Sequence, residues 1–470
     1  MAHEGDWAAR DRRYVWHPFT QMTEWFADET IVIASGKGNY LFDTRGRRYF
    51  DGVSSLWVNI HGHRHPRITK AIKEQLDRIA HSTFLGLSNV PATELAERLV
   101  AVAPKGLRRV FYSDNGSTAV EVAMKMAFQY HRQNGPAGMK RTEFVTLGDA
   151  YHGDTIGSVS LGGIDLFHRI YRPLLFKVHR VPSPWKRKEP IPKRRNPASV
   201  DVLAPLAKIF GSRGDRIAAL VMEPLVQGAA GILVHPRGFL REAARICRGA
   251  GALLILDEVA TGFGRTGPMF ACEQEGVRPD LMAVAKGLTG GYLPVAVTLT
   301  TEKVFKGFLG PPGGDRTFFH GHSYTANPLG CAAAIANLDI FRDEPVLERV
   351  GVLISRFRGG LARFRDIPAV ADVRQCGLMV GIDLMEDPAG GKAFDPLLRI
   401  GHKVILAARK RGVIIRPLGD VIVLMPPLST TDAELDMLLQ ATYESVEEAT
   451  RAGGIQPRRP QRARSSVRSW

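Results

Sequence analysis

Cysteine is scarce in this chain of 470 residues: Cys247, Cys272, Cys331 and Cys376 lie far apart, with no CxxC pair. That spacing excludes a disulfide framework and a zinc-finger arrangement, and it reads as four reduced thiols in a cytoplasmic protein. No apolar run approaches the roughly 18 to 20 residues that a spanning helix needs. Met1 to Arg13 is polar, without the apolar stretch of a secretory signal. No internal repeat is visible. With 44% hydrophobic and 23% charged residues, collagen, coiled coil and wholesale disorder are excluded as well.

Acidic residues are scarce in two stretches, and these carry most of the net charge of +16. Arg451 to Trp470 has six arginines and no acid, and Pro182 to Arg195 has six basic residues against Glu189 alone. The rest of the chain is only mildly basic. Such segments read as a solvated tail and a surface loop, so nucleic acid is not the expected partner, and no membrane is expected either.

What the sequence has in quantity is short apolar runs that end in polar or glycine-rich turns. Arg109–Tyr112, Glu143–Leu147, Ala218–Met222, Ala252–Leu256 and Leu281–Val284 read as buried strands alternating with helical periods. That pattern predicts an α/β fold with a mostly parallel central sheet. After the first strand, Ser113-Asp114-Asn115-Gly116-Ser117 supplies turn and cap residues. A helix follows with Ala119, Val122, Ala123, Met126, Ala127 and Tyr130 on one face. Toward the N-terminus, Ile31–Ile33 and Asn39–Asp43 read as short strands joined by a turn at Ser35–Gly38. Val380–Asp383 and Val421–Met425 mark an α+β region near the other end. The expected organisation is a large domain over 66–330 and a smaller domain built from 1–65 and 331–450. A basic tail at 451–470 completes it.

In open α/β sheets, ligands gather at the carboxyl ends of the strands. Asp257 directly follows Leu253–Leu256, and Lys286 follows Leu281–Ala285. A strand-end acid or lysine taken singly reads as an ion-pair member, with Glu223 a further partner for the lysine. Together they suit pyridoxal phosphate chemistry, in which a lysine carries the cofactor as a Schiff base and an acid holds the pyridine nitrogen protonated. Asn115-Gly116-Ser117-Thr118, at a helix start, has the donors for the phosphate. His61, His63 and His65 fall on one side of an extended segment. With no acid or cysteine to complete a metal site, they read as the bend into the large domain.

These residues, with Trp16–Met22, His61–His63, Phe111–Ser117, Tyr151–Thr155, Asp257–Gly267, His320–Tyr324 and Arg416–Gly419, resemble the class III, pyridoxal phosphate-dependent aminotransferases of fold type I. The resemblance spans Val15 to Glu447. Within the family the pattern is most similar to the branch that aminates 8-amino-7-oxononanoate in biotin synthesis. The resemblance implies pyridoxal 5'-phosphate bound through Lys286, with Asp257 on the pyridine nitrogen and Gly116 and Ser117 on the phosphate. Tyr151 would lie against the ring. His322 and Ser323 would reach the phosphate across a homodimer with shared active sites. Gly321 would line the substrate channel, Phe19, Leu56 and Trp57 would border the substrate, and Arg416 would bind the distant carboxylate. Phe19 stands where enzymes using S-adenosylmethionine as amino donor usually have tyrosine, and Leu56 where they have tryptophan. At these two positions the chain is closer to the branch that uses L-lysine. The alternatives within enzymes are a general ω-aminotransferase acting on a diamine or ω-amino acid, and an aminomutase or decarboxylase on the same scaffold. A non-catalytic basic binding protein is the alternative outside them.

Overall fold

The computed structural model describes residues 6–185 and 202–452. Most of the basic insert, from 186 on, and the tail from 453 on lie outside the described residues. The seven strands of the central sheet run in the spatial order Leu107–Ser113, Ala296–Thr301, Leu281–Val284, Leu253–Asp257, Ile217–Met222, Glu143–Leu147, His179–Val181. All are parallel except Ala296–Thr301, which is antiparallel to both neighbours. Strand Ile217–Met222 is buried at every position, as are Leu253–Asp257 and Leu281–Val284. Helices on both faces explain why these strands are continuous apolar runs, not alternating ones.

The helix Gly116–Gln133 buries Ala119, Val122, Ala123, Met126 and Ala127 against Ala218, Val221, Ile255 and Ala283 of the sheet. Asn115 caps it by accepting from the Thr118 N–H at 3.0 Å, and the Thr118 hydroxyl accepts from the Asn115 N–H in return. Among the described residues no helix is long and apolar enough to cross a membrane.

Two smaller sheets flank this core. Val370–Cys376, Met379–Leu384, Val421–Leu424 and Arg416–Leu418 form an antiparallel sheet in that order. Ile33–Lys37, Tyr40–Asp43 and Arg48–Asp51 pair antiparallel, and Arg48–Asp51 also pairs in parallel with Val413–Ile414, which joins the two ends of the chain. One expected turn is displaced. Ser35, Gly36 and Lys37 belong to the strand, paired with Phe42, Leu41 and Tyr40. The reversal occurs at Gly38 and Asn39, where Gly38 takes φ +57°, a conformation that favours glycine. Ile31 and Val32 precede the strand. The helix Pro328–Asp343 runs across the expected boundary at 330.

One local feature has no counterpart in the sequence pattern. Ser54, Ser55, Leu56 and Trp57 have φ of 50°, 46°, 71° and 71°, a left-handed turn without a single glycine. Each such residue costs about 1–2 kcal/mol relative to the right-handed form. The buried Asp51 offsets part of that cost by accepting from both the N–H and the hydroxyl of Ser55 at 2.7 Å. The Ser54 hydroxyl donates to the Met425 carbonyl at 2.6 Å. His63 completes the cluster through Asp51 at 3.0 Å. The turn swings the Trp57 ring inward and leaves Leu56 half exposed at the surface.

Candidate active site

Five strands running in the same direction end at one cavity of about 440 Å3. Leu107–Ser113 delivers Asn115, Gly116 and Ser117, Glu143–Leu147 delivers Tyr151 and His152, and Ile217–Met222 delivers Glu223. Leu253–Asp257 ends on Asp257 itself, and Lys286 follows Leu281–Val284. Trp57 closes one side.

Lys286 is half-buried and has no hydrogen bond on its side chain among the described residues. Its Nζ lies 5.4 Å from the centre of the Trp57 ring, a cation–π distance. Burial lowers its pKa from the ordinary lysine value, and the acids Asp257, Glu223 and Asp154 oppose that shift. Its backbone is in the left-handed region, φ +44°, at the start of a single 3-10 turn over Lys286–Thr289.

Facing it, Asp257 accepts from the Val259 N–H at 3.0 Å and holds His152 Nδ1 at 2.8 Å. His152 is buried, which opposes its protonation. The hydrogen bond to Asp257 and the charges of Asp257 and Glu223 outweigh that and raise its pKa. Glu223 is driven up by its own burial, to about 7, with Asp257 adding to the rise and His152 working against it. Its oxygens accept from the Gly228 N–H at 2.9 Å and the Tyr151 N–H at 3.3 Å. The Tyr151 hydroxyl donates to Asp154 at 2.7 Å. Burial raises its pKa, and Arg416 is near enough to oppose that. Arg416 itself is half-buried, its pKa lowered by desolvation, and has no carboxylate partner among the described residues.

The phosphate end is built by close packing. A Cβ at Gly116 would come within 2.7 Å of Val259 Cγ1, and one at Gly153 within 1.8 Å of Ser117 Oγ. Only glycines let these segments approach so closely. The Gly116 and Ser117 N–H groups point out of the first helical turn without intrahelical partners. The Ser117 oxygen accepts from the Asp154 N–H at 3.1 Å, which leaves its own proton to donate. An acid, a free amine and an anion cradle thus share one cavity, a donor set that fits pyridoxal phosphate.

The cavity therefore brings together Gly116, Ser117, Tyr151, Asp257, Lys286 and Trp57 of the residues expected from sequence. Phe19 and Leu56 lie outside its wall. Phe19 packs edge-on against Phe167 at 5.3 Å, and Phe167 in turn against Tyr151 at 6.3 Å. Gly321, His322 and Ser323 do not line the cavity of their own chain, and Gly321 and Ser323 are exposed beside Leu85 and Tyr324. Two residues of the cavity carry more weight than their sequence context implies: His152, which stands there only as part of a motif, and Glu223, which stands there only as an ion-pair partner for the lysine. The signal for Glu223 is the one that marks Asp257, an acid straight after an apolar strand. The three histidines of the bend are held differently: His63 by Asp51, His61 by the Phe341 and His65 rings, and the His65 N–H by the Tyr292 hydroxyl.

The known proteins this chain is similar to agree with one another. The family model described as aminotransferase class-III matches residues 23–445. An adenosylmethionine-8-amino-7-oxononanoate aminotransferase of Nitratidesulfovibrio vulgaris is 53% identical over 453 residues, covering 96% of this chain and 84% of the relative. That of Geobacter sulfurreducens is 48% identical over 95% of this chain and 97% of its own. The crystal structure of the enzyme of that name from Methanocaldococcus jannaschii superposes with a TM-score of 0.90 at 40% identity, over 94% of this chain and 98% of the other. An (S)-enantioselective omega-transaminase from Thermomicrobium roseum gives 0.88 at 32% identity, over 94% and 98%. With a match that runs almost from end to end and a cavity whose donors fit the cofactor, the chain belongs to the class III, pyridoxal phosphate-dependent aminotransferases.

Proposed function

We propose that this protein transfers an amino group to the ketone of 8-amino-7-oxononanoate, giving 7,8-diaminononanoate for biotin synthesis. The observation that carries the reading is Arg416. A half-buried guanidinium with no carboxylate partner among the described residues, close enough to Tyr151 to bias its phenol, suits a substrate whose carboxylate lies far from the reacting carbon. The names and identities of the curated relatives support the same acceptor.

Gly116 and Ser117 would hold the cofactor's phosphate, Tyr151 the ring face, Asp257 the pyridine nitrogen, and Lys286 the aldehyde carbon. Bound there, pyridoxal phosphate supplies a carbonyl that exchanges with the amino group and a ring that accepts an electron pair. The chain's own work is proton management. His152 Nδ1 holds Asp257 from the buried side at 2.8 Å and fixes its direction. Lys286, its pKa lowered by burial, is the base that takes a proton from the donor's carbon and returns one to the acceptor's carbon. Trp57 covers Lys286 and excludes water from that transfer. His322 and Ser323, on an exposed loop beside the exposed side chains of Leu85, Phe319 and Tyr324, belong to the neighbouring site of a homodimer. Residues 66–330 act as the large domain and the two chain ends as the small one.

The amino donor is S-adenosylmethionine, as the relatives are named, or L-lysine, as Phe19 and Leu56 suggest. Each is offered in turn to the aldehyde form of the enzyme, with Lys286→Ala as control. The expected result is loss of the cofactor's visible band with one donor, recovered on adding 8-amino-7-oxononanoate. Conversion by neither donor, or no recovery with that acceptor, overturns the assignment in favour of a general ω-aminotransferase.

A further inference from the structure

An asparagine on the buried face of a helix is costly, since it is a poor helix former and its amide must be satisfied. Asn337, on the helix Pro328–Asp343 among Ala333, Ala334, Ala336 and Leu338, is completely buried. It lines no part of the cavity and has no role in the proposed reaction. Its Nδ2 donates to two carbonyls, those of Gly287 and Leu288, each at 3.0 Å. These belong to the two residues that follow Lys286 in the 3-10 turn. The amide orientation is dictated by chemistry, because an oxygen turned toward two carbonyl oxygens would be repelled by both.

The turn needs such a clamp. Lys286 has φ +44°, unfavourable for a residue with a side chain, and the turn is a short one, flanked by bonds from the Leu288 N–H to Ala285 at 2.9 Å and from the Gly290 N–H to Gly287 at 3.0 Å. With no hydrogen bond on the Lys286 side chain among the described residues, the backbone of this turn sets the direction of Nζ.

On the far side of Asn337 stands His61, from the segment that follows the left-handed turn. Asn337 Oδ1 and His61 Nε2 are both buried without a hydrogen bond that meets ordinary geometry, yet the two side chains interact. The His61 ring is pinned by Phe341 at 5.1 Å and His65 at 5.7 Å. Burial pushes its pKa down to about 3, so it is neutral and carries one ring proton.

We propose that Asn337 is a positioning residue for Lys286: its amide locks the turn that aims Nζ, and the His61 Nε2–H, donated to Oδ1, locks the amide. The inference rests on Lys286 carrying the cofactor and on no particular substrate.

The test uses the full-length chain with Asn337→Leu, His61→Phe and His61→Gln, the last restoring a donor. For Asn337→Leu, kcat of the half-reaction is expected to fall about 10- to 100-fold with KM within about twofold of wild type. The rate at which the apo chain acquires the visible band on mixing with pyridoxal phosphate should fall in parallel. His61→Phe should move both in the same direction by about three- to tenfold, and His61→Gln should recover most of that. Wild-type rates in Asn337→Leu, or equal rates in His61→Phe and His61→Gln, overturn the proposal. If Asn337→Leu does not fold, the His61 pair decides alone. A visible band that still forms in Lys286→Ala would instead overturn the reading beneath it.

Discussion

Lys286 and Arg265 are both cations set inside the fold, and the structure treats them in opposite ways. Arg265 is tied down by three oxygens. It donates to the Pro426 carbonyl at 2.6 Å, to the Asn59 carbonyl at 3.2 Å and to the Ser54 hydroxyl at 3.5 Å, tying three distant segments together. Burial lowers its pKa to about 9, while the charge of Asp51 opposes the shift. Around Asp257 the cation nearest the cavity, Lys286, makes no side-chain hydrogen bond among the described residues, and its neighbour Glu223 has a pKa pushed up to about 7. A buried charge held by oxygens from other segments is scaffold. A buried charge left open is chemistry, because its proton and its direction are free to respond to a ligand.

The comparison breaks if the two cations can be exchanged in consequence. Lys286→Ala is expected to lower transamination by about 100- to 10,000-fold, since it removes the proton-transfer group. Its melting temperature should stay within a few degrees of wild type, because no side-chain hydrogen bond is lost. Arg265→Met should do the reverse. It strips three oxygens of their donor and costs about 3 kcal/mol of stability, read as a lower midpoint in guanidinium chloride. Activity per folded molecule should fall far less than in Lys286→Ala. A stable but inactive Arg265→Met would show that the arginine takes part in the chemistry.

A smaller effect sharpens the scaffold side. Asp51→Asn replaces one of the acceptors that hold Ser55 in the left-handed turn and weakens the attraction to Arg265. It is expected to cost about 1–2 kcal/mol. Because that turn aims Trp57 at Lys286, KM for both substrates should rise while the cofactor stays bound. Unchanged stability would mean that the strain at Ser54–Trp57 is held by packing alone.

Legibility from the sequence follows burial on strands. Leu253–Leu256 and Leu281–Val284 announce themselves by composition, so the residue just past each end, Asp257 or Lys286, stands out from the amino-acid order alone. Gly116 and Ser117 are legible for the same reason, as a cap after an apolar run. The left-handed turn is not, since Ser-Ser-Leu-Trp contains nothing that favours positive φ and the conformation is held by the side chain of Asp51, just upstream, and by the Met425 carbonyl from far along the chain. Asn337 is hidden among alanines, because its partners are backbone carbonyls that no side-chain pattern reveals. Strand Ala296–Thr301, the one antiparallel member of the central sheet, is equally inconspicuous, because threonines at 298, 300 and 301 break up its apolar run.

The least drastic prediction concerns pH, and it separates the open cluster from the tied-down arginine most finely. Glu223 has a folded-state pKa raised from the ordinary 4.5 to about 7, mainly by burial. An acid shifted upward is at no disadvantage while it stays protonated, below its unfolded pKa. Ionising it inside the fold costs stability, so the protein should lose stability as pH climbs from about 4.5 toward 7 and keep that loss above 7. His152, also shifted upward, adds to the same trend: the stability it gains from Asp257 is present below about 6.5 and is lost once pH rises through its folded value. Glu223→Gln keeps one oxygen, enough to accept from the Gly228 N–H, but cannot ionise. Melting temperature measured from pH 5 to pH 8 should therefore fall less steeply in Glu223→Gln than in wild type, with the remaining slope belonging to His152. Arg265→Met, whose partners are uncharged, should keep the wild-type slope at a lower temperature. Parallel curves for wild type and Glu223→Gln would mean that Glu223 is already ionised throughout, held so by His152, and the cluster would then be as fully paired as the arginine it was set against.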